Sequence, residues 1–398
     1  MISFEEAYDL VINQLGDFGT EVVDLKECMG RVLDEEIKAD RHFPPFNRAT
    51  KDGIAINYSA ISDGLSSFNI AGVLAAGAAA IPFENNTDCI EIMTGAVVPE
   101  LADTVVMYED ITIDNGLAQL QKIPEKGANI HLIGSDIAKG MVIIKKNTKI
   151  NPAVIGVMAS VGRSRVKVKK LPKVSVISTG KELVEVNVTP LPYQIRRSNA
   201  YTLYAALSID NIQPLLLHLD DDKDIIRQKL QYVIQEMDVL LLSGGVSKGK
   251  FDFIPEILKE LGTQQIFHKV RQRPGKPFLF GYHKRAKTVI FSFPGNPVST
   301  YVNYHVYFRP WLQKSLNGII QDKQVILEED INYQSDLTGF FGVKTKYVSG
   351  GITARILKGN GSGDLITLAK IDGFIRLSPK KKYKKDDIVP FISTTTGF

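Results

Sequence analysis

The segment Ser292-Phe293-Pro294-Gly295-Asn296-Pro297-Val298-Ser299 sets two prolines and a glycine between an apolar run over 288–291 and a helical pattern over 298–316. A loop of this composition between a strand and a helix is rigid and leaves backbone N–H groups free, which is what holding an anion requires. Two further loops share that setting: Ser178-Thr179-Gly180-Lys181-Glu182-Leu183, and Ser243-Gly244-Gly245-Val246-Ser247-Lys248-Gly249 followed by Asp252. In the second, glycines let the backbone approach a phosphate closely, and Ser243 and Ser247 add donors. It is not a Walker A sequence, because the closing Gly-Lys-Ser/Thr is absent. Any one loop also reads as a plain strand–helix turn; three in one region favour binding.

Carboxylates accompany these loops: Glu182, the run Asp220-Asp221-Asp222, and Asp252. Acidic groups beside a phosphate make sense with a hard cation between them, and magnesium takes one or two carboxylates plus substrate oxygens. For Asp222 and Asp252 the competing role is a helix N-cap. The turn Arg271-Gln272-Arg273-Pro274-Gly275-Lys276-Pro277 is rigid and cationic, and Arg273 and Lys276 suit a phosphate or another oxyanion. Asp52-Gly53, Met93-Thr94-Gly95-Ala96 and Gly134-Ser135-Asp136-Ile137 read individually as ordinary turns.

The elements that must carry these residues follow from periodicity. Strands over 174–177, 215–219, 239–242 and 289–291 alternate with helices over 198–208, 222–237, 253–261 and 298–316. Near-continuous apolar strands alternating with helices predict a mostly parallel sheet covered on both faces, and ligands bind at the carboxyl ends of such strands. Upstream, Ser3 and Glu6 form a capping-box pattern ahead of a stripe of Phe4, Ala7, Leu10, Val11 and Leu15. The region 68–123 shows short alternating strands with no long helix. Asn151-Pro152 starts a helix that runs to about Val161 and stops at Gly162. The tail from Val325 returns to short strands and glycine turns, a barrel or sandwich pattern, and the lysine run 380–385 reads as an exposed hairpin loop.

Composition bounds the function. With 398 residues, 44% hydrophobic and 23% charged, the chain is expected to be globular and multidomain. A net charge of +4 does not call for nucleic acid. The only cysteines, Cys28 and Cys89, exclude a disulfide framework and a zinc spacing, and the six histidines show no ligand pattern. Glu5, Glu6 and Asp9 fall where the apolar core of a secretory signal would lie, and no run is long enough to span a bilayer, so a cytoplasmic protein without membrane partners is expected.

Read together, the segments resemble the MoeA/gephyrin E-domain family of molybdenum cofactor synthesis. The ordered set comprises Pro44-Pro45-Phe46 with Asp52-Gly53, Thr94-Gly95-Ala96 with Pro99, Gly134-Ser135-Asp136-Ile137, Ser178-Thr179-Gly180 with Glu182-Leu183, and Ser198-Asn199. It continues through Ser243-Gly244-Gly245-Val246-Ser247 with Asp252, Pro274-Gly275-Lys276-Pro277, Pro294-Gly295-Asn296-Pro297 and Gly361-Ser362-Gly363-Asp364.

The resemblance implies a helical and extended region over 1–40 and 138–170, an inserted β-rich domain over 41–137, a three-layer α/β domain over 171–318, and a barrel-like domain over 319–398. It implies a homodimer whose site joins the α/β domain of one subunit to the inserted domain of the other, bringing Asp52, Thr94 and Asp136 to the phosphate loops. The reaction implied inserts molybdate into adenylylated molybdopterin and releases AMP, with Mg2+ assisting and a separate adenylating partner possible. In that chemistry the glycine loops and Lys276 hold phosphates, Glu182, Asp220 and Asp252 serve the metal or activate water, and the 294–299 loop with Ser299 holds molybdate. Lys181 stands where the family has an aspartate, and Lys344 is the candidate to replace a barrel arginine. Two other activities are compatible with the resemblance, a molybdopterin adenylyltransferase and a non-catalytic scaffold.

Overall fold

The computed structural model describes residues 1–220, 222–246 and 253–395. Its centre is a six-stranded sheet in the order Leu215–Leu219, Val174–Thr179, Val239–Ser243, Thr288–Phe293, Leu279–His283 and Gln264–His268. The first four strands are parallel, and Leu279–His283 runs antiparallel to both neighbours. Val174–Thr179, Val239–Ser243 and Thr288–Phe293 are buried along their whole length, because helices cover both faces. Val174, Val176, Leu241 and Phe291 point to the helix Ser198–Ile209 and to the helical segment that begins at Pro297. Ile177, Leu240, Leu242 and Ile290 point to Lys223–Glu236 and Ile254–Glu260. This is the three-layer arrangement expected; the antiparallel strand within it escapes the periodicity of the sequence.

The helical pattern over 298–316 resolves into three pieces: Pro297–Asn303, a π-helical turn Tyr304–Phe308, and Arg309–Ser315. Pro310 supplies the reason. It has no N–H to donate, and in an α-helix its ring would collide with the carbonyl four residues back. A wider turn accommodates it.

Strands Thr104–Met107, Gly53–Ile56, Asp88–Ile92, Ser67–Leu74, Leu117–Leu120 and Ile111–Asp114 form an open, curved sheet, a half-barrel. At the C-terminal end five strands close on themselves: Thr338–Val348, Gly351–Ile356, Lys323–Leu327, Ile388–Ser393 and Gly373–Leu377, the last pairing with the first. Lys381–Tyr383, inside the lysine run, is a short strand paired with Ile331–Tyr333. Lys380 and Lys384 there are held by Asp336 and Asp330.

The helix Phe4–Asn13 is capped by Ser3, whose hydroxyl accepts from the Glu6 N–H at 3.0 Å. Phe4, Ala7, Val11 and Ile12 pack into the α/β core, where Trp311 Nε1 donates to the Gln14 carbonyl, whereas Leu10 and Leu15 of the expected stripe are exposed. A separate small core gathers Cys28, Leu33, Ile37, Met158 and Val168, with Thr20–Asp24 pairing Arg165–Lys169 and the helix Pro152–Ser160 capped by Asn151.

Asp34 lies on that small core with its side chain 5% exposed, ringed by Lys169 at 3.0 Å, Lys146 at 3.1 Å and Lys167 at 3.7 Å. Burial pushes its carboxyl up, but hydrogen bonds and charge from Lys169 and Lys146 outweigh burial and hold it below the usual range. A lowered folded value means its contribution is present above the unfolded pKa and lost as pH falls through the folded one. D34N is expected to lose roughly 1.5–3 kcal/mol at neutral pH, the worth of charge-assisted hydrogen bonds. Urea unfolding at pH 7 and pH 3 checks this: the gap between wild type and variant narrows at the lower pH.

Candidate active site

The strands Val174–Thr179 and Val239–Ser243 lie side by side, and the chain leaves them in opposite directions, so a crevice opens at their carboxyl ends. Glycines build its floor. Gly180, Gly244 and Gly245 have φ of 134°, 100° and 69°. A Cβ on Gly244 would lie 2.8 Å from Thr179 Oγ1 and 2.9 Å from the Thr179 carbonyl oxygen. The Gly244 N–H donates to the Phe293 carbonyl at 3.1 Å, joining the second loop to the third. Thr179 Oγ1 is buried and, among the described residues, has no hydrogen-bond partner, which leaves a hydroxyl for a ligand.

Asn199 ties the loops together. Its Nδ2 donates to Ser243 Oγ at 2.8 Å and to the Gly295 carbonyl at 2.7 Å, while Thr300 Oγ1 donates to the Pro294 carbonyl at 2.6 Å. Neither Asn199 nor Thr300 stood among the candidate ligand residues; for the first, the signals were the Ser198-Asn199 pair in the family resemblance and a short polar residue opening the helix Ser198–Ile209.

Ser178 faces the neighbouring strand, with its Oγ 3.2 Å from His218 Nδ1. His218 Nε2 lies 3.5 Å from Asp220 Oδ1. Burial, then the Arg197 charge, pushes the imidazole below its usual pKa, so it is neutral near pH 7. The Gly180 N–H donates to the Leu219 carbonyl at 3.3 Å, so Glu182 and Asp220 leave adjacent strand ends. The Glu182 carboxylate turns back over Gly180. Asp222 caps the helix Lys223–Glu236 by accepting from Asp224 and Ile225 N–H. Asp252 and Ser247 lie outside the described residues. Among the described residues, no three His, Cys, Asp or Glu side chains gather as a metal cage. Glu182 and Asp220 at the crevice are the type and number of protein ligands magnesium takes, its remaining ligands being water and substrate oxygens.

A cavity of about 720 Å³ opens on the other side of the 294–299 loop. Arg273 and Lys276 line one wall, Asn296 and Ser299 a second, and Phe340, Phe341 and Ser362 a third. The Val298 N–H donates to the Ser362 carbonyl at 3.0 Å, anchoring the Gly361-Ser362-Gly363-Asp364 segment to the helix start. Backbone N–H groups of Asn360 and Thr367 hold the Asp364 carboxyl down to about 2. Lys344 points elsewhere: it is paired with Asp372 at 2.6 Å and does not line this cavity.

The half-barrel carries a second group. Asp52 Oδ1 accepts from the Thr94 N–H at 2.6 Å, and the Thr94 backbone and hydroxyl hold its carboxyl below the usual range. Gly53 is required beside it, since a Cβ there would lie 1.9 Å from the Val106 carbonyl oxygen. Asp136 Oδ1 meets His131 Nε2 at 2.8 Å, and His131 Nδ1 meets Arg48 Nη2 at 3.1 Å. These contacts lie within the inserted region. Within one chain, the described candidates thus form one group around the 294–299 loop, while Asp52 with Thr94 and Asp136 with His131 form two pairs in the inserted region.

A glycine-floored crevice at the switch point, opening beside a pocket lined by Arg273 and Lys276 under a closed barrel, defines a multidomain α/β protein with its candidate residues at the carboxyl edge of a mostly parallel sheet. Residues 2–162 match the MoeA N-terminal region (domain I and II), and residues 175–314 match a probable molybdopterin binding domain. The chain belongs to the MoeA family. It is 37% identical to a molybdopterin molybdenumtransferase of Synechocystis, covering 98% of this chain and 99% of that one. It is 31% identical to one from Staphylococcus epidermidis, covering 100% and 96%. Among solved structures, the molybdopterin biosynthesis MoeA protein of Pyrococcus horikoshii superposes with a TM-score of 0.83 at 26% identity, covering 98% of this chain and 99% of the other.

Proposed function

We propose that this chain is a molybdopterin molybdenumtransferase, which inserts molybdate into adenylylated molybdopterin and releases AMP. One observation carries the reading. The 294–299 loop sets Gly295 against Gly244 in the glycine crevice, with 3.6 Å from a Cβ position to the Gly244 Cα, while Asn296 and Ser299 line the cationic cavity. A ligand with phosphates in the crevice reaches the oxyanion pocket across a single loop.

In this reading the N–H groups of Gly245 and Gly295, with the Thr179 hydroxyl, hold the phosphates, while Gly180 and Gly244, whose N–H groups bond the Leu219 and Phe293 carbonyls, let the backbone approach them closely. Arg273, Lys276 and Ser299 hold molybdate, a tetrahedral oxyanion, with Pro294, Asn296 and Pro297 fixing the loop. Ser178 and Ser243 buttress the strand ends. Glu182 and Asp220, with Asp252, hold Mg2+, which when bound offsets the charge of the phosphoanhydride oxygens. Asp52, Thr94 and Asp136 complete the site from a second subunit. The reaction works by positioning and charge stabilisation rather than by a covalent nucleophile. Purified protein given adenylylated molybdopterin, molybdate and magnesium is expected to release AMP; release at the background rate would sink the proposal. ATP-dependent adenylation of molybdopterin instead would establish the adenylyltransferase reading.

Exposed Leu191, Tyr193 and Ile195, close together in sequence ahead of the helix Ser198–Ile209, leave apolar surface that a homodimer would cover. Mixing two inactive variants tests the shared site. D52N and K276A, each altered on a different half, are expected to regain about a quarter of wild-type activity after subunit exchange, because half the dimers carry one intact site. No regain on mixing, with exchange verified, would place each site within one chain. Among the described residues, no helix is long and apolar enough to cross a membrane. The two free, buried thiols suit a reducing cytoplasm, where a separate adenylating protein would supply the substrate.

A further inference from the structure

We infer that Gln272, Asn303 and Tyr307 are positioning residues that set the shape of the turn presenting Arg273 and Lys276. The inference rests on the reading of that turn as the oxyanion holder. The turn itself is short of internal support: Gly275 has φ of 88°, and prolines at 274 and 277 remove two backbone donors. Its carbonyls are satisfied from beneath. Gln272 Nε2 donates to the Pro274 carbonyl at 3.0 Å, and Asn303 Nδ2 donates to the Gly275 carbonyl at 3.4 Å.

The two amides are linked to each other and to a phenol. Gln272 Nε2 also donates to Asn303 Oδ1 at 2.8 Å, and the Tyr307 hydroxyl donates to Gln272 Oε1. The Pro274 carbonyl only accepts, so it fixes the Gln272 amide with its NH2 toward the turn and leaves Oε1 to accept from the phenol. That orientation in turn fixes Asn303, and Asn303 is left with its NH2 aimed at the turn. Gln272 and Asn303 are fully buried, as is the Tyr307 ring, which rests 4.8 Å from the Phe278 ring. Nothing in the network is free to swing.

Three elements meet here. Gln272 lies on a two-residue strand paired with Thr338 of the barrel. Asn303 ends the helix Pro297–Asn303, and Tyr307 belongs to the π-helical turn after it. A Cβ on Gly275 would lie 2.6 Å from Asn303 Oδ1 and 2.8 Å from Gln272 Nε2, so the turn is seated directly on the amides. For stability alone, a well-packed apolar trio would serve as well as buried polar groups. What the polar trio adds is direction: it donates to the Pro274 and Gly275 carbonyls, which lie between Arg273 and Lys276.

Q272M keeps the side-chain length and removes every hydrogen bond; Y307F removes only the hydroxyl. Q272M is expected to raise the molybdate KM about tenfold and Y307F about threefold to fivefold, scaling with the bonds removed. AMP release at saturating molybdate should stay within about twofold of wild type, since the phosphate crevice is untouched. A loss of active protein would lower kcat without moving KM, so a fall in kcat at constant molybdate KM overturns the inference and marks the trio as structural. If Q272M does not fold, Y307F carries the test by the same criterion. K276A separates the two layers. An unchanged molybdate KM in K276A refutes the oxyanion reading of the turn, whereas a raised KM in K276A with none in Y307F refutes the positioning role alone.

Discussion

Replacing Lys276 with alanine is expected to lower AMP release at limiting molybdate by about 10²-fold, and K276Q, which keeps length without charge, by nearly as much. The magnitude follows from removing one preorganised donor aimed at an anion in a partly enclosed pocket, typically worth about 3 kcal/mol. The side chain is exposed, so the lower part of that range applies; water reaches the site and screens it. Arg273 stands on the same cavity wall, and R273A is expected to cost somewhat less because Lys276 remains. The two substitutions share one ligand and are expected to be non-additive. K276R restores charge but spreads it over a planar fork, so partial recovery is expected. Activity measured against molybdate concentration checks this series. A K276A rate within threefold of wild type at every concentration would remove Lys276 from the site.

The α/β layer was legible because its physics is local. Strands such as 239–242 read as continuous apolar runs, and Asp222 and Asn151 announced helix starts by side-chain type. The antiparallel strand Leu279–His283 was not legible, because a buried apolar run carries no mark of its direction. The π turn was hidden for a related reason. Aromatic residues Tyr304, Tyr307 and Phe308 continue the helical stripe, and only Pro310, six residues beyond the start of the turn, hints that the helix must widen.

At the site, glycine and proline loops were legible one by one, since each needs special backbone angles. What joined them was not. Asn199 reaches Ser243 and Gly295 across 44 and 96 positions of sequence, and Gln272 reaches Asn303 across 31. Such pairs leave no periodic trace. The pocket wall from Phe340 and Ser362 belongs to the barrel, and its place opposite Lys276 depends on how two domains pack. Lys344 illustrates the converse: a cation at a plausible place in sequence is already held by Asp372.

Placing a methyl group on Gly244 is expected to weaken AMP binding by at least tenfold and to lower the melting temperature. Two independent costs add. At φ of 100° a Cβ is strained, at about 1–3 kcal/mol. The same Cβ would press on the Thr179 carbonyl and hydroxyl at 2.9 and 2.8 Å, both on a fully buried strand that cannot retreat. Relief therefore moves the second loop away from Thr179, which pulls apart the Gly245 N–H and Thr179 hydroxyl that the proposed function assigns to the phosphate. Gly295 offers the contrast. Its Cβ position meets only the Gly244 Cα at 3.6 Å, an ordinary contact, and its φ is not in the left-handed region. G295A is expected to keep wild-type stability, so that any loss of AMP affinity in it reports contact with ligand rather than collapse of the floor. Thermal unfolding and AMP titration of both variants separate the two effects. Equal melting temperatures for G244A and wild type would show that the crevice floor yields, and would withdraw the close-approach argument for Gly244.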